Sequence, residues 1–190
     1  QVAGALGEQQ KLQVTCATQK YINQTAPADY LLGIPFEGQS YEITTLSTIA
    51  GEMFSVQALR QAINAALATL SPTVPSSHEA KLLSWSRVYY AQVTEDETHT
   101  LPLGNVTLPV LLAAGQAAEF SQAQIAEAFE NTPLQAAALQ AKLESGYYKK
   151  DTTSNYWWNT GSSAEYFGAN EFYTASATVD PAGNKTTYTY

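Results

Sequence analysis

Charge is what this sequence has least of. Only 14% of its 190 residues are Asp, Glu, Lys or Arg, where an ordinary soluble domain carries roughly 25%. The net charge is −8, and the nine Lys and Arg are scattered, with Lys149-Lys150 the one adjacent pair. Nucleic-acid binding depends on a basic stripe that neutralises phosphates, so that class of function is set aside. Docking to anionic lipid fails on the same count. No apolar run approaches the roughly 18 residues of a membrane span.

Cysteine is nearly missing as well. Cys16 stands alone, which excludes an internal disulfide framework and a cysteine-rich zinc site; it reads as a buried thiol. Histidine is confined to His78 and His99, which leaves little for nucleophilic catalysis that needs an imidazole base. No glycine-rich phosphate loop is present. Glu127 and Glu130 have the spacing of di-iron ligands but no accompanying histidine. These gaps point away from an enzyme and from any bound cofactor.

What fills the composition is hydrophobic residues, at 45%, together with neutral polar residues and tyrosine. A surface of Ser, Thr, Asn, Gln and Tyr desolvates at lower cost than a charged one, which suits a surface that neighbours cover. The chain begins at Gln1, as removal of a leader would leave it. Sequons at Asn23, Asn105 and Asn184 are compatible with export. The expected location is extracellular, periplasmic or on a virion surface.

The pattern along the chain predicts an α+β fold, mainly α: a central bundle of about five helices over residues 45–150, an extended or β N-terminal arm over 1–44, and an aromatic-rich extension over 151–190. In the arm, Leu12, Val14 and Cys16 alternate as in a strand, although the surrounding residues equally allow a helix. Pro27, Gly33, Pro35 and Gly38 predict a loop over 26–40.

Val56, Leu59, Ile63, Ala66, Leu67 and Leu70 share one helical face, opened by Ser55 and stopped at Ser71-Pro72. Ser76 and Glu79 have capping-box spacing ahead of Leu82, Leu83, Trp85, Tyr89 and Tyr90. Pro109 suits a first helical position before "VLLAAGQAAEF". Ser121 with Gln124 caps a short helix carrying Ile125 and Phe129. Thr132, Pro133 and Gln135 open another, ended by Gly146. In the extension, "DPAGN" between two alternating segments predicts a C-terminal β-hairpin.

The candidate sites follow from the aromatics. Tyr156, Trp157, Trp158, Tyr166, Phe167, Tyr188 and Tyr190 lie in polar, loop-like sequence, and such rings are favoured interface anchors. Glu95, Asp96, Glu97 and His99 form a candidate cation site, without the spacing of an EF-hand. Glu165 and Glu171 lie close enough in sequence to the aromatics for a carboxylate pair at a sugar.

The leading expectation is a non-enzymatic, self-assembling structural subunit of an extracellular or virion assembly: a filament, a capsid or tail component, or a surface layer. Its partner is then a second copy of itself. A small cofactor-free accessory subunit of a larger exported enzyme is the alternative, with that larger subunit as partner. A carbohydrate-binding or hydrolysing protein that uses Trp157 and Trp158 is the third.

Overall fold

Alternation wins over helical potential from the first element onward. The computed structural model describes residues 9–26, 30–49, 57, 60–61, 64–65, 80–95, 97–129 and 132–190. Strand β1 (Gln9–Gln24) takes in Leu12, Val14 and Cys16, and β2 (Leu31–Ile49) follows. Then come β3 (Ala80–Thr94), β4 (Glu97–Thr100) and β5 (Leu111–Ser121). Helices α1 (Gln122–Ala128) and α2 (Pro133–Ser145) lead to β6 (Tyr148–Lys150) and β7 (Tyr156–Tyr166). A 3₁₀ turn at Ala169–Glu171, β8 (Ala175–Val179) and β9 (Lys185–Thr187) complete the order.

The fold is therefore mostly antiparallel sheet, and the expected five-helix body is replaced by it. Every ladder with a described register is antiparallel. Contacts divide the chain into two units: Gln1–Thr18 with Gln39–Leu83, and Gln19–Gly38 with Ser84–Tyr190. In the first, the described residues Gln57, Arg60, Gln61, Asn64 and Ala65 are helical and exposed. They form the polar face of the helix expected there; the apolar face, Ser55 and the Ser71-Pro72 stop lie outside the described residues, as do Ser76, His78 and Glu79.

The second unit carries the candidate sites. The sheet has the strand order β1-β2-β3-β5-β7-β8-β9, with β4 also on β3 and β6 also on β7, and the second unit holds residues 19–24 of β1, 31–38 of β2 and 84–94 of β3. The segment expected as a helix around Trp85 is β3. Its Val88, Tyr89 and Tyr90 are β-branched and aromatic, which suits a pleated surface. A register shift between Tyr89 and Tyr90 interrupts its two-residue period. Pro109, expected to open a helix, follows a cis Leu108–Pro109 bond in the loop before β5.

β5 overrides the helix propensity of its alanines because it is paired on both sides, Trp85 facing Ala118 on one and Ala118 facing Trp158 on the other. Its small residues admit close neighbours: a Cβ added at Gly161 of β7 would stand 3.0 Å from the Gly115 carbonyl oxygen. The expected loop over 26–40 is likewise strand from Leu31. Gly33 takes φ +71 there without a neighbour in the way, and the Pro35 carbonyl accepts the Tyr90 hydroxyl at 2.6 Å.

Two helices form where their caps predict them. The Ser121 Oγ accepts the Gln124 N–H at 3.0 Å, and Gln124 Oε1 accepts the Ser121 N–H at 2.8 Å, a reciprocal capping box. Thr132 makes no side-chain cap bond, although Pro133 does start α2. The C-terminal hairpin is present as β8 and β9, with Thr178 opposite Thr186. In its turn, Gly183 supplies φ +86 and donates its N–H to the Asp180 carbonyl at 2.9 Å.

Apolar residues bury in separate clusters. Ile22, Leu31, Tyr90 and Val106 form one, with Ile34, Phe36 and Val88 packed against it. Ile125, Leu143 and Trp157 form another, with Phe129, Ala136, Leu139 and Tyr148 around it.

Candidate functional site: a clamped arginine between two indoles

Consecutive strand residues point to opposite faces, so the pair Trp157-Trp158 is divided between them. Trp157 enters the apolar cluster under α1 and α2, where its Nε1–H donates to Gln122 Oε1 at 3.2 Å. Trp158 meets Trp85 of β3 edge to face, with ring centroids 5.0 Å apart. Each indole is 2% exposed. Trp157 and Trp158 are thus covered by their own chain and present no open ring face on which a sugar could stack.

Around Trp158 the sheet gathers charge. The Arg87 guanidinium lies 4.0 Å from the Trp158 ring centroid and 4.6 Å from that of Trp85, a double cation–π arrangement. Its Nη1 donates to Asp151 Oδ2 at 3.2 Å. Its Nε lies 3.6 Å from Glu37 Oε1 and makes no hydrogen bond. Glu37 is buried, accepts the Trp85 Nε1–H at 2.8 Å and pairs with the half-exposed Lys20 ammonium. Tyr156 packs on Trp85 edge to face at 5.4 Å.

The turn before β7 holds the remaining ligand of the arginine. Asp151 Oδ1 accepts the Thr153 N–H at 2.9 Å, and Oδ2 accepts the Ser154 hydroxyl at 2.9 Å. The Ser154 oxygen in turn accepts the Trp158 Nε1–H at 3.3 Å. Asn155 adopts φ +57, a left-handed conformation that asparagine tolerates, and this closes the turn back onto β7.

Ionisation follows from these contacts. Burial pushes the Glu37 carboxyl up, but the hydrogen bonds from Lys20 and Trp85 and the charges of Lys20 and Arg87 outweigh it. Its pKa is held below the usual carboxylate value. Asp151 behaves alike: burial opposes its charge, while Thr153, Ser154 and Arg87 more than offset the cost. Burial raises the Tyr156 phenol, which stays protonated. Arg87, Glu37 and Asp151 are therefore charged together at neutral pH. The charges of this constellation are turned on one another, although the buried Arg87 Nε has no hydrogen-bond partner.

The other sequence candidates are dispersed. Tyr166 donates its hydroxyl to the Leu112 carbonyl at 2.8 Å, and its own N–H goes to Thr98 Oγ1 at 2.9 Å. Phe167 meets Tyr190 edge to face at 6.3 Å. Tyr188 shares a 3.1 Å hydrogen bond with Thr178, and Tyr190 is 86% exposed. Beside them, the 3₁₀ turn holds Phe172 at φ +53 with 87% of its surface exposed, a ring that the sequence reading did not single out.

In the candidate cation loop, exposed His99 lies 3.6 Å from Glu97 and Glu95 adopts φ +50, while Asp96 is outside the described residues. Among the described residues no three His, Cys, Asp or Glu side chains converge to hold a metal. Glu165 is paired with Lys185 at 2.6 Å, and Glu171 is exposed on the 3₁₀ turn. Cys16 is a half-buried free thiol on β1. Of the sequon asparagines, Asn23 accepts the Gly33 N–H at 2.9 Å and Asn184 donates Nδ2–H to Asp180 at 2.8 Å, while Asn105 is exposed in a loop.

Arg87 escaped the sequence reading altogether. An isolated arginine in "SWSRVYY" carries no motif, and its one available signal was position: two residues after a tryptophan on an alternating segment, it shares that ring's face.

No protein-family model matches the chain, and no curated protein matches it. Among solved structures it is similar to the crystal structure of TcdB2-TccC3 without its hypervariable C-terminal region, with a TM-score of 0.62 and 16% identity. The match covers 90% of this chain but 8% of that one, so the chain spans a small part of the length of its structural neighbour. At that identity the likeness is one of fold.

Proposed function

We propose that this chain is a non-enzymatic structural module, a stretch of antiparallel sheet that builds part of a larger protein assembly. The observation that carries the reading is the use the unit makes of its chemistry. Its enclosed charges, Arg87, Glu37 and Asp151, are spent on one another and on two indoles. At the outer edge of the sheet β9 is exposed along its whole length, its one charge, Lys185, is paired with Glu165, and Tyr190 and Phe172 protrude at the same end of the β7–β8–β9 ladder.

A terminal strand with one unpaired side offers backbone donors and acceptors to a neighbour. The fold likeness to a short stretch of a far longer chain supports the same reading, since such a stretch is one segment of a larger body. A neighbouring copy in an extracellular or virion assembly is the partner we propose.

Light scattering on a concentration series tests it. The expected result is mass above the monomer that falls when Phe172→Ser and Tyr190→Ser are combined. A monomer at every concentration, unchanged by that pair, overturns self-assembly, and co-purification with a different, larger chain would replace it with the accessory-subunit reading.

A further inference from the structure

In the arginine clamp, burial depends on proton occupancy. Arg87 and Lys20 are balanced by Glu37 and Asp151, so the cluster is neutral only while both carboxylates are ionised. If both take up protons, two positive charges remain, one of them largely enclosed between indoles, where an uncompensated charge is costly. The other residues facing the clamp cannot relieve this. Gln116 and Ala118 of β5 are uncharged, Tyr156 is a protonated phenol, and Lys149 of β6, opposite Trp158, adds positive charge.

The supports elsewhere in this unit are of another kind. Trp157 is held by Ile125, Leu143 and their apolar neighbours, and the Ile22–Leu31–Tyr90–Val106 cluster joins β1 and β2 to β3 through apolar contact. Neither cluster contains a carboxylate or a basic group. Acid therefore attacks the clamp and leaves these in place.

We propose that the clamp is an acid-operated cover: acidification releases the 151–155 turn and Arg87 from Trp85 and Trp158, which uncovers an aromatic face while the sheet stays folded. Both carboxylates are held below their usual range, so the cover stays shut through neutral and mildly acidic solution. It opens as pH falls through those depressed values.

The chain holds three tryptophans, two of them in the clamp. In a Trp157→Phe background, emission therefore reports the clamp alone, while far-UV circular dichroism reports the sheet. On titration from pH 7 to pH 2, the expected result is a red shift of emission that precedes loss of the dichroic signal. Arg87→Met, which keeps the stem between the indoles without its charge, should abolish that separate red shift. Glu37→Gln, which retains an acceptor for the Trp85 N–H, should move its midpoint to higher pH.

Coincident emission and dichroic transitions in the background protein overturn the proposal. So does an unchanged red shift in Arg87→Met. Should Arg87→Met fail to fold, the Glu37→Gln midpoint decides, and no movement of it counts against the cover.

Discussion

Two adjacent tryptophans are buried to the same extent by opposite means. Trp157 sits in an apolar pocket made by two helices, and its N–H donates one hydrogen bond to Gln122. Trp158 sits against a guanidinium held by two carboxylates. The first covering rests on area removed from water, about 25 cal/mol per Å², and has no titrating partner. The second rests on charge balance and directed hydrogen bonds, so its strength depends on pH. One strand thus carries a pH-insensitive face and a pH-sensitive one, a single residue apart.

The largest effect that separates the two faces should come from Trp157→Ala. Removing a fully buried ring costs about 3–5 kcal/mol. Urea unfolding should show that loss at pH 7 and again, undiminished, at pH 4.5. Arg87→Ala should cost about 3 kcal/mol at pH 7, because it leaves Glu37 and Asp151 without their shared cation.

The sign of its pH dependence follows from the lowered carboxylate pKa values. That stabilisation is present above the unfolded-state values and is lost as pH falls through the folded ones. The difference between wild type and Arg87→Ala should therefore shrink in acid, and a constant difference would break the comparison.

Smaller effects test the helical lid over Trp157. Ser121→Ala removes one half of a capping box and should cost about 1 kcal/mol in thermal or denaturant unfolding. Thr132→Ala should stay within about 0.5 kcal/mol, since Thr132 makes no cap bond despite its favourable sequence context. Equal losses at both positions would show that the lid is not anchored through its first cap.

These two caps also show where the sequence was legible. Ser121 and Gln124 act through residues three apart, and Asp180 and Gly183 set the terminal turn within five positions. Signals of that range survive folding because their partners are local. The alternation of Leu12, Val14 and Cys16 is local too, but the surrounding residues left strand and helix equally open, and the structure makes it strand.

β3, β5 and β7 were not legible as strands. Register shifts at Tyr89/Tyr90, Ala114/Gln116 and Ala118/Phe120 break the two-residue period on which recognition depends. β5 is rich in alanine, a helix former in isolation, and becomes strand because neighbours pair with both its sides. β7 reads as a loop because Asn159, Thr160, Ser162 and Ser163 interrupt its rings. The clamp was hidden more deeply still. Lys20, Glu37, Arg87 and Asp151 come from four distant segments, and nothing in any one of them announces the others.

The near contact between Gly161 and the backbone of β5 bears on how this protein can be handled. A methyl group at 161 would press on a carbonyl oxygen rather than a yielding side chain, so β5 would have to give way by a few tenths of an ångström. Anyone placing a fluorophore, spin probe or cross-linking thiol on this ladder should therefore pass over that site. Ser162, the next residue and exposed, is where an attachment can project without wedging the strands apart.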